Sequence, residues 1–150
     1  MTAVAARILM VDDEPRRVEA YRFDLALEMR CPSEDCEVAL VDSAETGLNR
    51  AIAEEWDVVV VDVMMAHQDS AHFTAEATKN GAYTGIVLYQ HLRRAKPTQP
   101  IIVFSNTRAS EILGECADIA RDPRCCVLQK TQTLPFELTR RVLSLAQRQI

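Results

Sequence analysis

No apolar run in this chain approaches the roughly 18 residues that a membrane-spanning helix needs. The opening stretch, Met1 to Arg7, also lacks the apolar centre of a secretory signal. Together these absences predict a soluble protein placed in the cytoplasm. Basic charge is short as well: 17 Lys and Arg against 22 Asp and Glu leave a net charge of −5. That speaks against a general nucleic-acid binder, whose affinity for polyphosphate rests on Lys and Arg. The small clusters Arg16-Arg17, Arg93-Arg94 and Arg140-Arg141 read as solvated helix faces. Cysteine is present without a pattern: the five form an odd set, and the Cys31…Cys36 and Cys125-Cys126 spacings match no common zinc arrangement. The adjacent pair, on an apolar strand, reads as small buried hydrophobes. There is no internal repeat, low-complexity tract or linker.

What remains is an ordinary globular composition, 150 residues with 48% hydrophobic and 26% charged. One domain spanning residues 1–150 is expected, large enough to bury about 70% of its unfolded surface.

Along the chain, apolar runs alternate with helical periodicity. Ile8 to Val11 reads as a first strand, stopped by Asp12-Asp13-Glu14-Pro15; Pro15 suits the first turn of a helix with Val18, Tyr21, Leu25 and Met29 inward. After a loop over Cys31 to Asp35, Glu37 to Val41 reads as strand two. Ser43 then caps a helix carrying Leu48, Ala51 and Ile52 inward. The third strand, Val58-Val59-Val60-Val61, is four β-branched residues in a row and ends at Asp62.

From Ala66 to Thr84 the rhythm breaks, with few large apolar residues and at most a short helix around 71–78. A loop this long in a compact domain is usually functional or mobile. Order returns with a helix from about Gly85 to Ala95, with Ile86, Tyr89 and Leu92 inward. Ile101 to Phe104 then forms a strand ending in Ser105, and a helix follows with Ile112, Cys116 and Ile119 inward. Cys126 to Leu128 is the last strand, ending near Lys130, and Pro135 opens a terminal helix with Leu138, Val142 and Leu145 on one face.

Five strands alternating with five helices imply right-handed βαβ units in an α/β, doubly wound, flavodoxin-like fold. The expected product is a parallel five-stranded sheet of order 2-1-3-4-5, with helices on both faces and a switch point between strands 1 and 3. Asp12, Asp13 and Asp62 should meet there. Asp62 alone leaves two readings open, a cap of the next helix or a chemical group. Three converging carboxylates repel, so a proton or a cation should join them, and oxygen-only ligands suit Mg²⁺. Ser105 and Lys130 end the next two strands, bringing a hydroxyl and an ammonium to the same crevice. That set suits phosphoryl transfer to Asp62, with the cation and Lys130 offsetting charge on the phosphoryl oxygens.

These residues carry a resemblance over essentially the whole length. Val11-Asp12-Asp13-Glu14-Pro15, Val58 to Asp62, Ile101 to Ser105 and Val127-Leu128-Gln129-Lys130 resemble the receiver domain of two-component response regulators. The resemblance implies that Asp62 accepts phosphate from a histidine kinase or phosphotransfer protein. It further implies that Asp13, Asp62 and the Met64 carbonyl hold Mg²⁺ directly, with Asp12 acting mostly through water. Ser105 and Lys130 would sense the phosphoryl group and pass the change to the face of the fourth helix, fifth strand and last helix.

The chain departs from that family at four places. The segment of about 66–84 is an insertion after the phosphoacceptor, and the family's nearby glycine is best matched by Gly85. It is expected to be either a flap or docking element beside the crevice or a tolerated surface insertion. The family's switch aromatic is Val127 here, so Phe104 or another group substitutes, or backbone shifts carry the output. The proline that follows the family's lysine is replaced by Thr131, and Pro135-Phe136 comes later, which remodels the loop. Met64 and Asn106 border the route of water to the phosphoryl group and should restrict hydrolysis.

The leading expectation is a phosphorylation-dependent signalling switch, not an enzyme with a turnover substrate. With no output domain after Ile150, it would act through a downstream protein partner, a phosphorelay or a homodimer paired by Arg140, Arg141 and Arg148. A rival is a phosphorylation-independent docking module with the same fold. Another is a haloacid-dehalogenase-type phosphatase, which needs a second acid where this chain has Met64 and carries its acidic pair late in the chain.

Overall fold

The computed structural model describes residues 6–28, 37–66 and 70–147. Val58–Val61 form a strand (β3) with all four side chains buried, because β-branched residues suit a pleated backbone whose two faces both avoid water. Around it lie Arg7–Val11 (β1), Glu37–Val41 (β2), Ile101–Ser105 (β4) and Cys125–Gln129 (β5). The sheet is parallel and runs β2-β1-β3-β4-β5, the order expected from the strand–helix alternation. Val11 pairs with Val41 and Val61, and Val103 with Val61 and Val127. The carboxyl ends of the strands therefore come level at one edge of the molecule.

The helices are Pro15–Glu28 (α1), Ala44–Ala53 (α2), Thr84–Ala95 (α3), Ala109–Glu115 (α4), Ala117–Arg121 (α5) and Pro135–Gln147 (α6). Side-chain alternation along the strands divides the core. Leu9, Val11, Val59 and Val61 face α2 to α5, while Ile8, Met10, Val58 and Val60 face α1 and α6. The expected apolar stripes are buried: Val18 and Leu25, Leu48 and Ala51, Ile86, Tyr89 and Leu92, and Leu138, Val142 and Leu145. Ser43 caps α2 by accepting from Thr46 N at 3.2 Å. Met29, Cys31 to Cys36, His67 to Asp69 and Arg148 lie outside the described residues.

Three expectations change. Ile52 is 42% exposed; α2 turns only Leu48 and Ala51 of the expected stripe into the core. The expected fourth helix is two, because Cys116 takes an extended backbone (φ −141°, ψ 90°) that ends α4 and caps α5. Ile112, Cys116 and Ile119 are nonetheless all buried, so the break keeps the apolar face on the sheet. Six α-helices are thus found among the described residues, with a further 3₁₀ turn at Lys130–Gln132.

The third change concerns the segment after Met65, which forms turns and not a helix over 71–78. Met65 N donates to Gly81 O at 3.2 Å, Thr84 Oγ1 donates to Met65 O at 2.6 Å, and Gly85 N donates to Val63 O at 2.8 Å. The segment leaves and returns at one point, in the manner of an Ω-loop. Phe73 is fully buried in the core under α3, which a count of apolar residues in the loop does not reveal. Lys79, Asn80 and Gly81 all have positive φ, a reversal that Asn and Gly accept readily and Lys does not. Outside contacts then fix it: the His72 and His91 rings lie 4.1 Å apart, and Lys79 pairs with Glu115 at 3.1 Å. The described part rests on α3 and α4.

Candidate functional site

At the carboxyl edge, β1 runs on into Asp12-Asp13 and β3 into Asp62. Asp12 N donates to Val41 O and Asp62 N to Val11 O, each at 3.0 Å, so the sheet ladder extends one step into both acids. Their side chains have little room to move. Asp12 is 3% exposed, Asp62 9% and Ser105 1%. A cleft of about 320 Å³ opens above them, lined by Asp12, Asp62, Met64, Ser105, Asn106 and Lys130 among others.

Lys130 reaches into this cleft from the end of β5. Its Nζ lies 2.5 Å from Asp12 Oδ2 and 3.2 Å from Asp62 Oδ2. Burial by itself would lower the lysine pKa, but the Asp12 hydrogen bond and the charges of Asp62 and Asp12 outweigh it, and the pKa is raised. The ammonium is therefore charged at neutral pH. For Asp62, burial dominates and pushes the pKa up, assisted by the charge of Asp12 and opposed by Lys130 and the Ser105 hydroxyl. Lys130 is thus what favours the carboxylate form of an otherwise poorly solvated acid.

Asp12, Asp13 and Asp62 each offer a carboxylate oxygen, all within 4.8 Å of one another. An oxygen-only donor set at that spacing fits a hard divalent cation, and three carboxylates against one ammonium leave charge for it to offset. Asp13 is also fixed by a hydrogen bond from Ala66 N, 2.9 Å to Oδ2, which ties the start of the segment after Met65 to the acid cluster. None of the described residues 70–84 lines the cleft.

All the residues expected from the sequence converge here. Met64 lines the cleft but is 61% exposed, and Asn106, on the loop after β4, lines it too. Four further lining residues were not singled out from sequence: Glu14, Thr107, Arg108 and Glu111. Glu14, Thr107 and Arg108 follow closely on the strand-end Asp12 and Ser105, which was the available signal; Glu111, in the first turn of α4, had none. Glu111 also accepts from Tyr83 Oη at 3.2 Å, linking the cleft wall to the residue before α3.

No protein-family model matches this chain, and no curated protein does. Solved structures do. A CheY-like response regulator receiver domain protein from Methanospirillum hungatei aligns with TM-score 0.70 and 17% identity over 96% of this chain and 95% of its own. The receiver domain of Francisella response regulator 1452 aligns with TM-score 0.67 and 19% identity, covering 97% and 99%. A response regulator receiver protein from Sinorhizobium medicae gives TM-score 0.67 and 18% identity, covering 99% and 100%. At these identities the likeness is one of architecture, and the fold of this chain is that of CheY-like receiver domains.

Proposed function

We propose that this protein is a phosphorylation-dependent signalling switch of the two-component type, with Asp62 as phosphoacceptor. The observation that carries the reading is Lys130 Nζ placed between Asp12 and Asp62 in a cleft that also holds Ser105, with Asp13 clustered beside the two acids. A structural module has no physical need for three crowded carboxylates, two of them held by one lysine.

In this reading an Asp62 oxygen attacks the phosphorus of a phosphohistidine on a kinase or phosphotransfer protein, and the imidazole departs. Asp13, Asp62 and the Met64 carbonyl would hold Mg²⁺, with Asp12 acting mostly through water; the ion supplies charge neutralisation at the phosphoryl oxygens. Lys130 keeps Asp62 ionised before the transfer and exchanges a carboxylate for a phosphoryl oxygen after it. Ser105, at the end of β4, donates a hydrogen bond to the same group. The output then passes to a downstream protein or to a second copy of the chain, and the chemistry is self-phosphorylation and self-dephosphorylation without a turnover substrate.

Incubation with Mg²⁺ and a small acyl-phosphate donor should add one phosphoryl mass, absent from Asp62→Asn. No addition from that donor or from several histidine kinases would refute the reading.

A further inference from the structure

A lysine side chain is long and flexible, so where its ammonium points depends on how its backbone is held. Lys130 opens the 3₁₀ turn Lys130–Gln132, an element that is short and weakly bonded by itself. In place of the proline that follows the lysine in the family it resembles, the chain has Thr131, so nothing in the turn's own sequence stiffens it. The turn closes through Thr133 N to Lys130 O at 3.3 Å and Thr133 Oγ1 to Gln129 O at 2.8 Å.

A further restraint comes from α1. Tyr21 Oη lies 2.7 Å from Thr133 O and 3.3 Å from Lys130 O. Carbonyls at both ends of the turn therefore converge on one hydroxyl, whose proton goes to Thr133 and is shared with Lys130. The Tyr21 ring meets Phe104 edge-on, with centroids 4.8 Å apart and planes at 73°. Phe104 is 1% exposed, and its ring centre lies 5.8 Å from Lys130 Nζ. Tyr21 thus braces the lysine at its backbone by hydrogen bonding and below its ammonium through a second ring. It does not line the cleft.

We propose that Tyr21 is a positioning residue for Lys130, holding the 3₁₀ turn and the Phe104 ring so that the ammonium stays between Asp12 and Asp62. The functional consequence rests on the phosphoacceptor reading of Asp62. The rings tied to the lysine then come from α1 and β4 and not from β5, where the position expected to carry one is Val127. Movement of Lys130 toward a phosphoryl group would be resisted or transmitted through α1.

The test uses Tyr21→Phe, which keeps the ring and removes the hydroxyl. Phosphorylation by acetyl phosphate at saturating Mg²⁺ should slow about two- to tenfold, the range that one hydrogen bond supports. Without any phosphodonor, the ¹⁵N order parameter of the Lys130 ammonium should fall, and p-aminophenylalanine at position 21, which restores a donor, should raise it again. An unchanged order parameter in Tyr21→Phe overturns the proposal whatever the phosphorylation rate. A wild-type protein that takes no phosphoryl group, while Tyr21→Phe loosens Lys130, refutes the phosphoacceptor reading and leaves the positioning intact. Should Tyr21→Phe fail to fold, Phe104→Leu is measured instead; a Lys130 order parameter identical to the wild type would then overturn the proposal.

Discussion

A Cβ added to Gly85 would fall 2.7 Å from the Asp62 carbonyl carbon and closer still to its oxygen. The first turn of α3 therefore lies against the backbone that carries Asp62, and the chain coming from residues 70–83 enters the helix at that contact. Gly85→Ala should cost about 1–3 kcal/mol of stability through overpacking, read from a urea midpoint. It should also slow phosphorylation of Asp62, because the obstacle is main chain that cannot rotate aside.

Met64 and Asn106 both line the cleft that holds Asp62. The aspartyl phosphate is expected to be long-lived, and Met64→Asn should hydrolyse several-fold faster by giving water a polar path. A half-time of seconds in the wild type, unaltered by Met64→Asn, would contradict this.

Phe73 is buried in the core cluster and anchors the segment 70–84 there. Phe73→Ala should cost about 3–5 kcal/mol if the segment stays docked over the cavity. If the segment lifts away, the loss is smaller and protease cleaves within 70–84 first. A variant as stable and as resistant as the wild type would show that the ring contributes nothing.

His91 gives a pH dependence. Burial, then the charges of His72 and Arg94, hold its pKa below the ordinary value. As pH falls through about 6.5 the unfolded chain takes up a proton that folded His91 refuses, so the unfolded state binds more protons and stability drops. The His91→Gln variant should lose less stability than the wild type between about pH 7.5 and about pH 5.5, seen as a smaller change in urea midpoint. Equal changes in both proteins would rule this out.

Much of this molecule is written locally. Val58 to Val61 is a strand because four β-branched residues in a row suit little else, and alternation with helical stripes leaves one handedness for the crossovers. The strand order follows, and with it the meeting of Asp12, Asp13, Asp62, Ser105 and Lys130 at one edge. Each of those residues is next to, or at, the end of an apolar run, so its place needed only the run to be recognised.

Other features arise from contacts between stretches far apart in the chain, to which periodicity is blind. Ile52 and Ala51 are neighbours in α2, yet only Ala51 meets the sheet. The helix break at Cys116 leaves Ile112, Cys116 and Ile119 all buried, and Phe73 enters the core from a loop whose ends meet at Met65 and Gly81. Tyr21 looked like one more apolar position on α1. Its hydroxyl at the Lys130 turn joins residues more than a hundred positions apart. The sequence by itself determined which groups sit at the strand ends, because strand ends are a local property. Only the tertiary structure decided what holds them in place, because that is a matter of which distant surfaces touch.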